Sequence, residues 1–432
     1  MEIIAILLFV SIFILIMYGY PVAITLGGLS IMYAYFFLDP SAFGALPPRI
    51  MGVVSNYVLL SVPLFVFMGI MLEKSGLAES LLETVAILFG KMHGGLAIAV
   101  ILVGTLLAAS TGIVGATVVT MGLISLPTML KRGYKPEVAT GVIAASGTLG
   151  QIIPPSVVLV LLGSVLNVSV GKLFASSLIP GLILVFCYLL YVILLAKIKP
   201  EWMPPIPKEE IDTFRSDNFY GKVWRAFALP LILIVSVLGS IFMGIASPTE
   251  AAAVGAMGAT ILTFFEKKLS LKIIKSVCME TTHLTSMIFL ILLGATTFSF
   301  VFRELGGDVF LVSLIQNANI SALAFLLLVM LIVFIAGFFI DFIEIIFIIV
   351  PVVAPVFHKL GMDLLWIGVL LGLNLQSSFL TPPFGFSLFY LKGVAPESVT
   401  TGHIYRGIIP FITIQLIVLG IYMFFPDLLV KP

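Results

Sequence analysis

The chain has 432 residues, 61% hydrophobic and 10% charged, with 22 Lys plus Arg against 21 Asp plus Glu and a mean hydropathy of +1.24. Soluble domains carry about 25% charged residues, so this composition excludes a soluble fold and implies an all-α polytopic membrane protein. A net charge of +1 gives no ground for nucleic-acid binding, and the two cysteines, Cys187 and Cys278, lie in or beside apolar segments and read as small hydrophobes.

A spanning helix needs about 20 apolar residues. In chain order the sequence predicts spans at 3–19, 21–38 and 56–73, then an amphipathic arm helix at 76–90. The first of these has no basic lead and no small-x-small cleavage site, so it reads as a retained helix rather than a signal peptide. Residues 94–109 and 113–130 are apolar arms around Ser110, Thr111 and Gly112, which suggests a re-entrant hairpin over 94–130. A broken helix at 136–166 and a span at 173–196 follow. Residues 201–223 lie in a stretch rich in Pro and mixed charge, and are expected to be a cytoplasmic linker between a first repeat, 1–200, and a second, 224–432. The second repeat reads as scaffold helices within 226–302 (spans at 226–243, 249–265 and 284–302), an arm helix at 305–318 and a hairpin at 320–358. A broken helix at 363–392 and a last span at 404–425 complete it. The amphipathic stretches 76–90 and 267–282 are expected along the membrane surface.

The two broken helices organise the chain. SGTLGQIIPPS at 146–156 and LNLQSSFLTPPFG at 373–385 interrupt apolar segments with polar side chains and a double proline, the first also with Gly147 and Gly150. Inside a bilayer the freed backbone groups are tolerated only where protein or a water-filled cavity satisfies them. The spacing from Pro127 to Pro154 equals that from Pro355 to Pro382. Lys131 and Gly133 recur at the same offset between halves, as Lys359 and Gly361. Interrupted helices at corresponding places in two halves mark the binding region of a secondary transporter. Each half holds five crossings if the hairpins re-enter and seven if they span. Either parity inverts one half relative to the other. Placing Lys131, Arg132 and Lys135 in the cytoplasm puts 17 of the 22 basic residues there and leaves Arg49, Lys172, Arg303, Lys359 and Lys431 outside.

The candidate chemistry sits at the tips and breaks. Ser110, Thr111, Thr117 and Thr120 offer hydroxyls, and Gly112 and Gly115 free the backbone; opposite them should lie Gly147, Thr148, Gly150, Gln151 and the carbonyls left open before Pro154 and Pro155. Oxygen donors without thiolate or imidazole suit a hard cation such as sodium, expected at Ser110, Gly112, Thr148 and Pro154. Asp341 and Glu344 interrupt an apolar run where the second hairpin should turn, and an unpaired carboxylate there should face a cavity, an ion or a partner. Asn374, Gln376, Ser377, Ser378, Thr381 and Pro382 would oppose that tip, with a second sodium at Asp341, Ser378 and Thr381. Half-helix N-termini near Ser156 and Gly385 favour a carboxylate. Two bland alternatives stand: the small residues merely let helices pack, and 320–358 is two ordinary spans with a loop at 341–344.

Other residues carry less. His93, His283, His358 and His403 lack metal-ligand spacing, Glu250 suits a helix N-terminus, and Ser61 and Pro63 read equally as packing. No HExxH, GxSxG, Walker A or CxxC pattern occurs, so neither an enzyme nor an ATP-driven pump finds support.

The runs GGLAIAVILVG, STGIVGATVVTMGLISLPTMLKRGYKPEVATGVIAASGTLGQIIPPS, SPTEAAAVGA and NLQSSFLTPPFGFSLFYLKGVAP together resemble the large membrane subunit of tripartite ATP-independent periplasmic (TRAP) transporters. The resemblance covers essentially the whole chain. It implies an inverted-repeat, elevator-type sodium symporter for organic acids in the cytoplasmic (inner) membrane of a bacterium or archaeon. It also implies two partners, a small four-helix membrane subunit and a periplasmic substrate-binding protein, with sodium ions for coupling and no cofactor. The family's tips and breaks that hold sodium and substrate correspond to Ser110 to Gly112, Gly147 to Pro155, Asp341 with its neighbours, and Asn374 to Pro383. Where many members have Asp-Pro-Thr at the second tip, this chain reads Asp341-Phe342-Ile343-Glu344, which removes a hydroxyl at 343 and adds an acid. The last of the four runs resembles a subgroup associated with 2-oxo acids or other monocarboxylates. A proton-coupled anion transporter using Asp341 or Glu344, and an uncoupled channel or structural subunit, are the rival readings.

Overall fold

The computed structural model describes residues 2–112, 114–215, 221, 224–318 and 320–429. The first half runs α1 (Glu2–Met17), α2 (Val22–Phe37), α3 (Leu46–Val54), α4 (Ser61–Lys74) and α5 (Leu77–Phe89). It continues through the hairpin arms α6 (Gly95–Thr111) and α7 (Val114–Lys131), then α8 (Pro136–Thr148), α9 (Val157–Leu166) and α10 (Val170–Ile198). A short α11 (Lys208–Arg215) lies between the halves. The second half runs α12 (Leu229–Phe242), α13 (Pro248–Phe265), α14 (Leu271–Glu304), α15 (Gly307–Asn317) and the hairpin arm α16 (Ala322–Ala336). The return arm is α17 (Phe342–Ile348) and α18 (Val350–Lys359), followed by α19 (Leu364–Leu380), α20 (Phe386–Val394) and α21 (Thr401–Phe424).

Local signals set these boundaries. Pro136 and Pro248 occupy first-turn positions where no amide proton is needed, and Ser247 with Glu250 closes a capping box on α13. Pro351, in the first turn of α18, leaves the return arm bent by 50° between α17 and α18. Five described helical stretches are long and apolar enough to cross a membrane: Tyr57–Lys74, α7, α10, α14 and α21; α7, an arm of the hairpin expected to re-enter, is thus itself long enough to cross.

The halves pair crosswise. Helix α2 packs on α14, and its counterpart in the second half, α13, packs on α4. A Cβ added at Gly294 would lie 2.5 Å from the Ala23 carbonyl oxygen, and one at Gly255 would lie 2.6 Å from the Met68 sulfur. Both crossings are therefore too close for a larger residue. Helix α8 packs on α21 and α19 on α10; α7 packs on α20, and α9 on α17 and α18. In the α8–α21 crossing, Cβ positions at Gly141 and Gly407 fall 2.2 and 2.0 Å from backbone oxygens of the opposite helix. Each of these contacts has its partner at the offset that separates Lys131 from Lys359, the arrangement a two-fold relation between halves produces.

Two regions differ from the sequence expectation. Residues 271–282 of the predicted surface stretch and the span 284–302 lie in one continuous helix, α14, of 34 residues, about 51 Å long. Ser270 caps it, and no Gly or Pro interrupts it before Gly294; polar residues alone do not break a helix. Residues 39–55, given no element above, form a 3₁₀ turn at Pro40–Ala45 and α3.

Candidate functional site

The first break lies in the groove between the arms of the first hairpin. A Cβ at Gly104 would meet the Ser146 hydroxyl at 2.4 Å, one at Gly147 a Val118 methyl at 2.5 Å, and one at Gly150 the Ala108 carbonyl oxygen at 2.2 Å. The tip turns at Gly112, whose φ of +61° suits glycine, and its Cβ position is 3.0 Å from the Val157 amide nitrogen. The hairpin tip thus rests against the amide end of α9. Ser156 caps that end, accepting from the Leu159 amide and donating across the break to the Gln151 carbonyl at 2.8 Å. Gly147, Thr148, Gly150, Pro154 and Pro155 are all buried. The Thr148 and Ser110 hydroxyls donate to the Ala145 and Leu107 carbonyls, and Ser110 borders a small void with Leu72, Leu81 and Pro230. The Thr111 side chain lies outside the described residues. Gln151 is fully buried, and neither polar atom of its amide has a hydrogen-bond partner among the described residues.

The second break repeats this plan with different parts. A Cβ at Gly337 would meet the Ser378 hydroxyl at 2.1 Å, and Asn374 donates from Nδ2 to the Met330 carbonyl at 2.7 Å, so α19 is fastened to α16. Ser377, Ser378 and Thr381 donate to carbonyls of their own helix at 2.8–2.9 Å. Ser387 donates back across the break to the Phe379 carbonyl at 2.8 Å, and the Tyr405 hydroxyl donates to the Pro383 carbonyl. Both double prolines, Pro154–Pro155 and Pro382–Pro383, are joined by cis bonds. Gln376, at the position that corresponds to Thr148 rather than to Gln151, is likewise fully buried, and its amide has no hydrogen-bond partner among the described residues.

Asp341 and Glu344 sit together at the second tip, and the structure shows what holds them. Asp341 caps α17, accepting from the Phe342 amide at 2.7 Å, while its own amide donates to Glu344 Oε2 at 3.3 Å. This capping box accounts for both acids as helix-starting residues and leaves part of their oxygen capacity free. Next to them in sequence, the Phe342 ring packs on Phe379 and Phe379 on Phe386, while Phe339 packs on Phe384.

Below the first tip, both feet of the hairpin are tied to the segment read as a linker. Gly94 donates to the Met203 carbonyl and Lys135 to the Trp202 carbonyl, each at 3.0 Å, and Ile206 donates to the Gly90 carbonyl at 2.8 Å. Lys135 and Lys199 lie over the Trp202 ring at 3.8 and 3.9 Å, and Met203, Ile206 and Ile211 are buried. Residues 200–211 are therefore a docked strap rather than a free tether; 216–220, 222 and 223 lie outside the described residues. Burial beneath this hairpin pushes the Tyr134 phenol up to about 12, so it is neutral at ordinary pH.

One polar contact escaped the sequence reading. Glu73, on α4, accepts from the Thr120 hydroxyl of α7 at 2.5 Å, and the adjacent Lys74 pairs with Glu280 of α14 at 2.7 Å. An acid at the end of a span reads as an interfacial charge; only Thr120, on the facing arm, gives it a second role. Among the described residues no three His, Cys, Asp or Glu side chains converge, so the oxygens and amides of the tips and breaks are the available ligands.

Crossed halves, paired tips and paired breaks define a helical membrane transporter, a permease rather than an enzyme. The chain matches the family "Tripartite ATP-independent periplasmic transporter, DctM component" over residues 9–428, and it belongs to that family. It is 31% identical to the C4-dicarboxylate TRAP transporter large permease DctM of Pseudomonas aeruginosa, over 92% of this chain and 91% of that one. It is 30% identical to the sialic acid large permease SiaM of Vibrio cholerae, over 88% and 87% of the two chains. The isethionate permease DctMQ of Oleidesulfovibrio alaskensis matches at 29% over 94% of this chain but only 63% of its own length. In fold, the YdaH transporter of Alcanivorax borkumensis superposes with a TM-score of 0.67 at 14% identity, over 97% of this chain and 99% of that one.

Proposed function

We propose that this chain is the large permease of a binding-protein-dependent system that takes up an organic acid across the inner membrane, driven by sodium. One observation carries the reading: each break holds a fully buried glutamine, Gln151 or Gln376, whose amide has no protein partner among the described residues. A buried polar group left unmatched costs about 1–3 kcal/mol, so a ligand at either break would gain by pairing with that amide. Around them stand carbonyl and hydroxyl oxygens, which suit sodium. At the first junction Gly112, Thr148 and the carbonyls before Pro154 would hold it; Ser110 stands on the same tip. At the second, Asp341, Ser378 and Thr381 would. The amide ends of α9 and α20 would favour the carboxylate.

A separate small four-helix membrane subunit and a periplasmic binding protein complete the system. The fused DctMQ relative, more than a third of which lies beyond this chain's match, supports a division into subunits. In the transport cycle the two hairpins and breaks would move as a carrier against α1–α4 and α12–α14. Coupling follows only if sodium and carboxylate bind more tightly together than apart.

The test is uptake of radiolabelled pyruvate and succinate into proteoliposomes holding all three components. An inward sodium gradient is expected to drive accumulation of at least one of them, and an equal potassium gradient none. Accumulation driven by a proton gradient alone, and lost in Asp341→Asn/Glu344→Gln, would replace sodium by protons; the paired acids at the second tip are what keep that reading alive. No counterflow with all components present would leave an uncoupled channel or structural subunit.

A further inference from the structure

A cavity of about 300 Å³ lies away from both breaks. Its walls come from the proposed scaffold and the proposed carrier together: α3 and α14 on one side, the end of α9 and the second hairpin's return arm on the other. Arg49 and Arg303 line it, and among the described residues no acidic one does. The Arg49 guanidinium lies over the Phe300 ring at 4.7 Å, and Arg303 follows one turn along α14. Neither makes an ion pair with a described residue. Asn56, Ser164, Asn167, Thr296 and Ser299 supply neutral donors around them, with Asn56 Nδ2 reaching the Ser164 hydroxyl across the seam at 3.5 Å.

Charge and location agree. Of the five basic residues the positive-inside count leaves outside, two line this one cavity. Guanidinium groups bind carboxylates through paired donors, and a cleft lined by one sign of charge concentrates counter-ions. The volume is at the lower end for ligand pockets, about 300–1,000 Å³, which suits a small acid and not a large one. Neither break contains an arginine, so these two are the strongest carboxylate-binding groups near the outer face.

We propose that this cavity is an outer antechamber, in which Arg49 and Arg303 hold a small organic carboxylate before it reaches the breaks. The proposal rests on the transport reading above and extends it. Because its walls come from both the proposed carrier and the proposed scaffold, a shift of one against the other would open or close the chamber.

The test places a cysteine in the chamber, Ser299→Cys, in protein whose Cys187 and Cys278 are replaced. Its reaction rates with an anionic and a cationic methanethiosulfonate are compared. With both arginines present the anionic reagent is expected to react at least about tenfold faster, relative to the cationic one, than in Arg49→Gln/Arg303→Gln. Arg303→Lys, which keeps the charge, should retain most of that ratio. Pyruvate or succinate should slow labelling in the protein with both arginines, and chloride at equal ionic strength should not. An unchanged ratio, no protection by either acid, or equal protection by chloride would overturn the proposal. Sodium-driven uptake measured on the same protein separates the two readings. Uptake without protection removes the antechamber alone; protection without sodium-dependent uptake removes sodium coupling and leaves the anion site.

Discussion

The two breaks share a plan and differ in exposure. Every residue from 138 to 163 is buried, so the first break is sealed within the protein. In the second, residues 371–380 are buried, but Thr381 and Pro382 are half-buried and Pro383 and Phe384 are exposed, Phe384 by 44%. Glycine allows the close fit: in the first hairpin Gly150 lies against the Ala108 carbonyl, and Gly104 and Gly147 against the Ser146 and Val118 side chains, whereas the second has one such contact, Gly337 against Ser378, with a run of packed rings at Phe342, Phe379 and Phe386. A sealed junction suits an ion, which needs only a few oxygens close about it. An aromatic, partly open one also leaves room beside the proposed ion for an organic molecule to enter and leave.

Substitutions at the two breaks should therefore fail differently. Gly150→Val drives its side chain into the Ala108 carbonyl, where backbone cannot give way. The expected loss is about 3 kcal/mol or more, seen as loss of folded, monodisperse protein in detergent. A Gly150→Val protein of unchanged melting temperature would show that the first break is not sealed. Next come the amides: Gln151→Leu and Gln376→Leu each remove an unmatched buried group. In sodium-free buffer each should gain up to about 1–3 kcal/mol while losing the upward melting shift that sodium gives the parent. A parent that shows no such shift would refute ion binding at either junction. Asp341→Ala removes a cap and should cost about 1 kcal/mol, while Asp341→Asn keeps it. If Asn restores stability but raises the sodium concentration for half-maximal uptake, the acid serves the ion as well as the helix. Smallest in stability is Phe384→Ser, within about 0.5 kcal/mol, with uptake reduced. A destabilised Phe384→Ser would place that ring in the core instead.

Proline and glycine made the breaks, the tips and the N-terminal positions near Ser156 and Gly385 legible, because their effect on the backbone is local. The constant offset between the halves was legible for the same reason. What sits across from what was not. Gly141 against Gly407, or Glu73 against Thr120, depends on helices far apart in sequence meeting at one depth. Arg49 and Arg303 read as two separate outer charges until packing brought them to one cavity. That the Pro-rich linker docks on the hairpin was not legible, because composition reports solvation and not docking. Its Trp202, Met203 and Ile206 were the apolar signal for it.

That strap restricts how the molecule can move. Because residues 202 and 203 hold both feet of the first hairpin, any excursion of that hairpin takes the start of the interhalf crossing with it. In the carrier cycle proposed above, the strap would therefore travel with the first hairpin rather than stay with the scaffold helices.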